Sequence, residues 1–347
     1  MSTKISIVGA GSWGTAIATL LANKGCDVKL WVRRKELLDK LYKSRINEAY
    51  LPSVKLPENV SFTNDMEEGC KGREIIVLAT PSHIVRETAE ALKYVVNKQQ
   101  IIVNLAKGIE NGTLLRMSEV IEEVLPDNRI SIMSGPCHAE EVAQNIPTAI
   151  VSTARDRSTA EYIQDIFMTP RFRVYTNPDL IGVELGGALK NIIALGAGII
   201  DGLGFGDNTK AALMTRGIVE MARLGESLGA SRLTFGGLSG IGDLIVTCTS
   251  MHSRNRKAGI ALGQGKKLDE ILSGSSMVIE GIRTTKSAYF LAQKQGVEMP
   301  ITEEIYNLLY NDSDIKDSVE NLMMRSKTHE IEDIALFNSS DWGTVGK

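Results

Sequence analysis

A strand-like run, ISIV at residues 5 to 8, leads directly into Gly9, Gly11 and Gly14 of the motif G-A-G-S-W-G, which opens a helical pattern. Glycines in G-x-G-x-x-G spacing allow a tight turn, a close approach of the backbone to a pyrophosphate, and close packing of helix on strand. The helix N-terminus adds unpaired N–H groups and the positive end of its dipole. Because strand, glycines and helix occur in the required order, the sequence predicts a dinucleotide-binding unit. The alternative is a purely structural Gly-rich turn.

Apolar, β-branched runs recur through the first half of the chain and alternate with helical patterns. The runs lie at residues 5–8, 28–32, 75–79, 101–105, 130–133, 149–152 and 172–176, with helical patterns such as 12–25 and 83–98 between them. This alternation is typical of βαβ units. We therefore predict an N-terminal Rossmann-type domain over residues 1–180, an α/β fold with a doubly wound, mostly parallel sheet.

The strand pattern stops at about residue 180. Helices are predicted at residues 183–200, 208–228, 254–263, 268–273, 284–295 and 301–309, with Gly-rich breaks between them. These helices predict an all-helical, substrate-binding C-terminal domain at 181–330. Residues 331–347 carry little periodicity, and we expect a loosely ordered tail there.

Composition excludes several classes of protein. A formal net charge of −3 without a long basic run gives no electrostatic footprint for nucleic acid. The cysteines, Cys26, Cys70, Cys137 and Cys248, lack C-x-x-C spacing, which argues against disulfides and against a metal site. A reduced, cytoplasmic location fits this pattern best, and the strand-like run begins too near the N-terminus for a signal peptide.

The longest apolar stretch, GGALKNIIALGAGII at 186–200, raises the question of a membrane span. Lys190 and Asp201 interrupt it, so we expect it to fall short of the roughly 20 residues that a bilayer requires. No membrane insertion is predicted.

Two arginines stand where the second strand ends. Folds specific for NAD usually place an acidic residue there for the ribose 2′-hydroxyl, whereas this chain has Arg33 and Arg34. Guanidinium groups suit a 2′-phosphate and tolerate its absence, so NADP(H) is favoured and NAD(H) is possible. The alternative is a pair of solvated arginines at the start of a surface helix.

Two lysines occupy positions that favour chemistry. Lys107 follows the strand at 101–105, at the sheet edge where ligands bind in open α/β folds. Lys190, with Asn191 beside it, lies in an apolar helix, where an unpaired ammonium costs several kcal/mol. The residues sharing its face, Gly186, Gly187, Ile193, Ala194 and Ala197, are mostly small, and the glycines and alanines among them are expected to give clearance for a substrate. The alternatives are a surface lysine at 107 and a snorkelling lysine at 190.

A second polar cluster follows in GIGDLIVTCTSMHSRNRK. Asp243 comes after a Gly-rich loop, and Ser253, Arg254 and Asn255 lie at the start of a predicted helix. A hydroxyl, a guanidinium and an amide at a helix N-terminus form a competent phosphate site. The alternative is an ordinary capped helix with a solvated basic turn.

Seven motifs together resemble the bacterial NAD(P)-dependent glycerol-3-phosphate dehydrogenase family. They are G-A-G-S-W-G (9–14), N-L-A-K-G (104–108), S-G-P-C-H-A-E-E (134–141), G-G-A-L-K-N (186–191), G-I-G-D-L (240–244), S-R-N (253–255) and V-I-E-G (278–281). The resemblance implies interconversion of dihydroxyacetone phosphate and sn-glycerol 3-phosphate by hydride transfer with NADPH or NADH. It also implies a homodimer and a role in supplying glycerol 3-phosphate for phospholipid synthesis.

The resemblance further implies roles for individual residues. Contacts to the dinucleotide are implied for Gly9, Gly11, Ser12, Trp13, Gly14, Arg33, Arg34, Lys107, Ala139, Arg254, Val278 and Glu280. Contacts to the substrate are implied for Lys107, Gly135, Cys137, Lys190, Asp243, Ser253, Arg254 and Asn255. The family usually has Ser or Thr where this chain has Cys137, and a thiol is a poorer hydrogen-bond donor than a hydroxyl. A backbone N–H at this position is the alternative contact to the substrate. A further alternative is that Cys137 is a reactive cysteine.

A catalytic role is predicted for four residues. Lys190 is the proposed general acid in reduction and general base in oxidation. Lys107 would polarise the carbonyl, and Asn191 and Asp243 would orient the lysine or the substrate hydroxyls. Burial and the charge of Lys107 would both lower the pKa of Lys190.

Two other functions stay open at this stage. One is a related Rossmann-plus-helical dehydrogenase that acts on another small hydroxy acid or sugar phosphate. The other is a non-catalytic NADPH-sensing protein, which would be expected to lack Lys107, Lys190 or Asp243, and all three are present.

Overall fold

The structure of the protein, a computed structural model, describes residues 2–274, 277–327 and 329–330, so the predicted tail at 331–347 lies outside the described residues. Strands occupy the first half of the chain. They are β1 Lys4–Val8, β2 Asp27–Trp31, β3 Ile46–Asn47, β4 Leu51–Lys55, β5 Val60–Thr63, β6 Ile75–Leu78, β7 Ile101–Asn104, β8 Arg129–Ser134, β9 Thr148–Ala154 and β10 Phe172–Thr176.

Eight of these strands form one sheet in the order β10-β9-β8-β7-β6-β1-β2-β5. Six neighbouring strands of this sheet pair in parallel, namely β8, β7, β6, β1, β2 and β5. Their spatial order is that of a Rossmann fold, with the order reversing between β1 and β6, where a crevice opens at the carboxyl ends of the strands. β9 runs antiparallel to β8, and β10 runs parallel to β9. The predicted fold class is confirmed.

Helices flank the sheet and make up the second half. The first half contains α1 Ser12–Asn23, α2 Lys35–Ser44, α3 Met66–Cys70, α4 Val85–Leu92, α5 Met117–Val124, α6 Ala139–Ala143 and α7 Arg157–Phe167. The second half contains α8 Leu180–Gly202, α9 Asp207–Ser227, α10 Arg232–Phe235, α11 Asp243–Thr249, α12 Arg254–Gly263, α13 Leu268–Ser273, α14 Glu280–Gln295, α15 Pro300–Tyr310 and α16 Ile315–Met323. Short turns add Ser82–Ile84, a 3-10 helix, and Leu238–Gly242, a π-helical turn.

Two strand regions were not predicted from the sequence. The antiparallel pair β3–β4 and the edge strand β5 lie between residues 46 and 63. β4 reads LPSVK and is mostly exposed, and β5 reads VSFT with an exposed residue at its second position. Such partly exposed segments lack the apolar run that marked the central strands.

Helix α8 forms the centre of the second half. Asp179 caps its N-terminus by accepting a hydrogen bond from the Gly182 N–H at 2.8 Å. The helix is 23 residues long and, by length and composition alone, long and apolar enough to cross a membrane, but its most apolar window is entirely buried in the protein. The expectation that Lys190 and Asp201 shorten the segment is wrong. Both lie within the helix because each is paired with an oppositely charged side chain.

Buried ionic contacts join the two halves away from the crevice. The Glu184 carboxylate on α8 accepts hydrogen bonds from Arg116 at 2.5 Å and from the Ser118 hydroxyl and N–H at 2.6 and 2.8 Å. Ser118 lies in the first turn of α5, so this carboxylate also satisfies the helix N-terminus. The contact fixes α8 against the sheet domain.

Candidate active site

A cleft of about 490 Å³ runs from the carboxyl edge of the sheet to the N-terminus of α12. Most of the site residues predicted from the sequence line it: Gly9, Gly11, Ser12, Trp13, Arg33, Arg34, Lys107, Cys137, Ala139, Lys190, Asn191, Ser253, Arg254, Asn255, Val278 and Glu280. Gly14, Gly135 and Asp243 are not part of the wall. Gly14 and Gly135 are packed against backbone, and Asp243 lies behind the two lysines.

The glycine loop after β1 fits a dinucleotide. Gly9 has φ +116°, and a Cβ there would lie 2.7 Å from the Ala79 carbonyl oxygen. A Cβ on Gly14 would lie 1.9 Å from the Gly9 carbonyl oxygen, whereas one on Gly11 would meet no described atom within 4 Å. Gly11 is the N-cap of α1, and no side chain in the described part of the chain caps that helix. The free N–H groups therefore face open space in the cleft, where a pyrophosphate can accept from them.

The arginines at the end of β2 stand at the outer end of the same cleft. Both are exposed, and Arg34 donates to the Tyr50 hydroxyl at 2.8 Å, with its guanidinium 5.5 Å from that ring's centroid. The Tyr50 carbonyl accepts from the Ser12 hydroxyl at 2.7 Å. Tyr50 was not predicted as a site residue, because a single tyrosine in a loop has no distinctive pattern.

A buried carboxylate joins the two lysines. Asp243 Oδ1 lies 2.6 Å from Lys190 Nζ, and Asp243 Oδ2 lies 2.7 Å from Lys107 Nζ. Asp243 begins α11, Lys190 lies in α8, and Lys107 follows β7, so the contact joins sheet domain and helical half. With one carboxylate between two ammonium groups, the trio carries one net positive charge at the base of the cleft.

The surroundings move the pKa values of the two lysines in opposite directions. Burial lowers the pKa of Lys190, and the charge of Lys107 adds to this, while Asp243 only partly offsets them. Burial also lowers the pKa of Lys107, but the interaction with the Asp243 carboxylate outweighs it, so the net pKa is raised. Burial would raise the pKa of Asp243, but both lysines hold it below its ordinary value. Lys107 is therefore the more permanent cation and Lys190 the readier proton donor.

Thr247 is a site residue that was not predicted from the sequence. It lines the cleft, and its hydroxyl accepts from Lys190 Nζ at 2.6 Å and donates to the Asp243 carbonyl at 2.6 Å. Thr247 follows Asp243 by four residues on α11, so both lie on the same face. The i, i+4 spacing was the available signal, but α11 itself was not predicted.

The thiol of Cys137 lies between Lys107 and the backbone. Lys107 Nζ is 3.3 Å from Cys137 Sγ, and the thiol donates to the Gly135 carbonyl at 2.9 Å. Burial raises the pKa of Cys137 above its ordinary value despite the nearby lysine. The thiol therefore stays protonated at neutral pH, which does not support a reactive cysteine.

The S-R-N cluster forms the first turn of α12. Ser253 is the N-cap and accepts from the Arg256 N–H at 3.2 Å. Arg254 donates to the Val278 carbonyl at 2.8 Å. The Asn255 side chain is buried and joins Asn191 Oδ1 to the Gly281 N–H, each at 2.8 Å.

This first turn offers an anion the Arg254 guanidinium and the N-terminus of α12, where Ser253 caps only the Arg256 N–H, while much of the Asn255 amide is already engaged within the protein. Asn191 likewise contacts Asn255 and not Lys190, so it orients the α12 turn and not the lysine.

Glu280 reaches across the cleft to the sheet domain. Its carboxylate accepts from the Ser82 N–H at 2.9 Å and from the Ser82 hydroxyl at 2.6 Å. Val278 and Ala139 line the cleft nearby, Ala139 at the start of α6. The V-I-E-G segment thus covers the cleft from the helical half.

The glycines near Lys190 do not provide clearance for a substrate, and that expectation is wrong. A Cβ on Gly186 would lie 2.5 Å from the Ser239 carbonyl oxygen, and one on Gly187 would lie 2.3 Å from Ser134 Oγ. The space is filled by the π-helical turn and by β8. Sequence shows where a side chain is absent, but not what occupies the space.

Comparison with known proteins identifies the family. The family model of the NAD-dependent glycerol-3-phosphate dehydrogenase N-terminus matches residues 4–160, and that of the C-terminus of the same family matches residues 179–320. The chain belongs to the NAD-dependent glycerol-3-phosphate dehydrogenase family. The resemblance found in the sequence is confirmed.

Relatives within the glycerol-3-phosphate dehydrogenase family match nearly the whole chain. The glycerol-3-phosphate dehydrogenase (NAD(P)+) of Moorella thermoacetica is 56% identical over 342 residues, covering 99% of this chain and 100% of the relative. That of Bacillus velezensis is 52% identical, covering 95% and 97%. The crystal structure of the Coxiella burnetii glycerol-3-phosphate dehydrogenase superposes with a TM-score of 0.90 at 38% identity, covering 93% and 99%.

Proposed function

We propose that this protein interconverts dihydroxyacetone phosphate and sn-glycerol 3-phosphate by hydride transfer with NADPH or NADH. The observation that carries the proposal is the Lys190–Asp243–Lys107 cluster, which lies between an open dinucleotide loop and the N-terminus of α12. The cleft thus combines a proton donor, a fixed cation and an anion site, and family membership supports the same reaction.

The dinucleotide would be held by the Gly9–Gly14 loop, with Ser12 and Trp13 in the first turn of α1. Arg33 and Arg34 suit the 2′-phosphate of NADP(H), which we propose as the preferred cofactor, and NAD(H) fits the same loop. When bound, the nicotinamide supplies or accepts the hydride. Ala139, Val278 and Glu280 would close the cleft over it.

Lys190 would move the proton. In reduction, negative charge develops on the carbonyl oxygen of the substrate, and the Lys190 ammonium donates a proton to it. Asp243 and Thr247 hold Nζ in place by hydrogen bonds of 2.6 Å each. The lowered pKa of Lys190 brings proton donation closer to neutral pH.

Lys107 would stabilise the developing negative charge. Because the pKa of Lys107 is raised, its ammonium keeps its proton while Lys190 gives one up. Asp243 remains ionised between them and compensates one charge in either state. This division of roles follows a general pattern, in which neighbouring titratable groups with opposed pKa shifts divide the acid and electrostatic roles.

The substrate phosphate would bind at the start of α12. Ser253, Arg254 and Asn255 supply a capped helix N-terminus and an exposed guanidinium at the cleft wall. Binding at this end fixes the reacting carbon relative to Lys190. Gly135 and Cys137 would support Lys107 rather than touch the substrate through the thiol, because the thiol donates to the Gly135 carbonyl.

An assay of NADPH oxidation with dihydroxyacetone phosphate tests the reaction, and variants of Lys190 test its role. Lys190→Ala and Lys190→Arg should each lower kcat by about 10²–10⁴-fold. Alanine has no proton to donate, and arginine keeps the charge but does not release a proton at neutral pH. NADPH binding, followed by fluorescence, should stay near the wild-type value. Lys29→Ala, which removes a lysine paired with Glu68 outside the cleft, is the matched control. Turnover in Lys190→Arg within about tenfold of wild type contradicts the role.

We also propose that the protein acts in the cytoplasm as a homodimer and supplies glycerol 3-phosphate for phospholipid synthesis. The cysteines, all free, support a reducing compartment. The dimer and the metabolic role rest on the family resemblance. Sedimentation equilibrium measures the assembly directly, and a monomer at micromolar concentration contradicts the dimer.

A further inference from the structure

Helix α12, which begins at the proposed phosphate site, lies directly against helix α8, which carries Lys190. Gly198 and Gly202 of α8 face Gly259 and Gly263 of α12. A Cβ on Gly198 would lie 2.1 Å from the Arg256 carbonyl oxygen, and one on Gly259 would lie 2.0 Å from the Leu195 carbonyl oxygen. The two backbones are therefore in contact, and the position of one helix determines that of the other.

Arg256 adds a second attachment between the same helices. This residue follows the S-R-N cluster and does not line the cleft. Its Nε donates to Asp201 Oδ2 at 2.7 Å, at the C-terminal end of α8. One guanidinium nitrogen, Nη1, donates to the Thr249 carbonyl at 2.7 Å and contacts Met251 Sδ at 3.1 Å. Arg256 thus joins α8 to the segment that leads into the phosphate site.

Asp201 is held in place by a second cation. Lys210 Nζ of α9 lies 2.5 Å from Asp201 Oδ1. The side chains of Asp201, Arg256 and Lys210 are only 15%, 14% and 17% exposed, so solvent screens these contacts weakly. Partial burial would raise the pKa of Asp201, but hydrogen bonds from Lys210 and Arg256 keep it below its ordinary value. The carboxylate is therefore ionised across the neutral range.

We propose that Asp201 and Arg256 are positioning residues that set the distance between the phosphate-binding turn and Lys190. The fixed distance selects substrates whose phosphate and carbonyl are spaced as in a three-carbon keto phosphate. This inference rests on the proposed function. Neither residue lines the cleft, so both act through the loop at 249–253 and the N-cap Ser253.

The arginine is suited to this role in a way that lysine is not. Arg256 uses two nitrogens, one on a carboxylate and one on a carbonyl, from a planar group with fixed geometry. Lysine retains the charge opposite Asp201 but loses the fixed second contact to Thr249. Without that contact the loop before Ser253 moves relative to Lys190, and a displacement of about 1 Å at a reacting geometry costs on the order of 10²-fold in rate.

The experiment compares two ketones, dihydroxyacetone phosphate and dihydroxyacetone, which lacks the phosphate. Arg256→Gln should lower kcat/KM for the phosphate ester by about 100-fold and for dihydroxyacetone by less than about threefold, because only the first substrate uses the phosphate site. The inhibition constant of inorganic phosphate, competing with dihydroxyacetone phosphate, should rise about tenfold or more. Asp201→Asn should show the same pattern.

A matched control and a conservative variant complete the test. Arg86→Gln removes an arginine that makes a two-pronged contact to Glu110 at 2.9 and 2.8 Å, away from the cleft, and should leave the ratio of the two kcat/KM values unchanged. Arg256→Lys should fold like wild type and lower the ratio by about tenfold, less than Arg256→Gln, because lysine keeps the ion pair with Asp201 and the loop is displaced less.

The inference is overturned if the Arg256 variants lose kcat/KM equally for both ketones. It is also overturned if neither the ratio of the two kcat/KM values nor the inhibition constant of inorganic phosphate changes. If Arg256→Gln does not fold, Arg256→Lys decides by the same criteria. A wild-type protein inactive on dihydroxyacetone phosphate refutes instead the proposed function.

Discussion

Replacing Asp243 by asparagine tests the central cluster, because it removes one charge and little volume. The carboxylate is 1% exposed and receives Lys190 at 2.6 Å and Lys107 at 2.7 Å. The substitution Asp243→Asn would leave two buried ammonium groups facing one neutral amide. The net charge of the cluster would rise from one to two.

The expected loss of stability follows from the cost of an unpaired buried charge. Breaking a buried ion pair by removing one partner costs about 3–5 kcal/mol. The loss has an upper bound, because Lys190 can release its proton. Releasing a proton at pH 7 from a group with an unfolded pKa near 10.4 costs about 5 kcal/mol. We therefore expect Asp243→Asn to lower the free energy of unfolding by about 3–5 kcal/mol.

The pH dependence of the variant has a definite sign. Without the carboxylate, the pKa of Lys190 falls further, so the protonated form needed for reduction persists only at lower pH. The reductive kcat should fall by about 10²–10³-fold at pH 7, and the loss should be smaller at acid pH. Stability should change the other way: between the folded and unfolded pKa of Lys190 the unfolded chain binds more protons, so the free energy of unfolding rises with pH.

The measurements are urea unfolding and reductive steady-state kinetics at several pH values. Glu184→Gln is the control, because it removes a buried carboxylate that pairs with Arg116 outside the cleft. It should cost stability and leave kcat nearly unchanged. An Asp243→Asn variant that keeps its free energy of unfolding within about 1 kcal/mol and its kcat within about threefold of wild type refutes this role of Asp243.

Two further predictions concern the cofactor and the helical half. Arg34→Ala should raise the KM for NADPH by about tenfold while changing that for NADH less than about twofold, because only NADPH carries a 2′-phosphate; equal changes in steady-state assays contradict this. Burial raises the pKa of Glu220 to about 7 despite hydrogen bonds from the Ile301 and Thr302 N–H groups. The folded state therefore binds a proton that the unfolded chain releases, so the free energy of unfolding should fall as pH rises from about 5 to about 7. Glu220→Gln should flatten this pH dependence in urea titrations. An unchanged pH dependence in the variant means that another group causes it.

The central sheet could be predicted because its strands are continuous apolar runs. β1, β6 and β7 are buried almost throughout, and burial on both faces produces a run that no surface strand has. β4 and β5 were missed because they lie at the periphery, where exposed positions interrupt the apolar run. The direction of β9, antiparallel to β8, follows from how the chain returns to the sheet, which a local pattern does not show.

The candidate site was predictable where a residue is unusual in its sequence context. Lys190 is conspicuous because a cation interrupts an apolar helix, and Gly9 because its spacing with Gly11 and Gly14 matches a known loop. Thr247 and Tyr50 have no such distinguishing context, since a hydroxyl fits many environments. Their roles depend on partners distant in sequence, 57 residues in the case of Thr247 and Lys190.

The central position of helix α8 has a consequence for the order of synthesis. Its main contacts are with α9, α11, α12 and α14, all of which follow it in the chain. A ribosome therefore completes a 23-residue apolar helix before it has made the segments that cover it. A nascent chain that ends before α14 therefore leaves part of α8 uncovered, and an apolar surface as long as a membrane span stays exposed to solvent until the remaining helices are made.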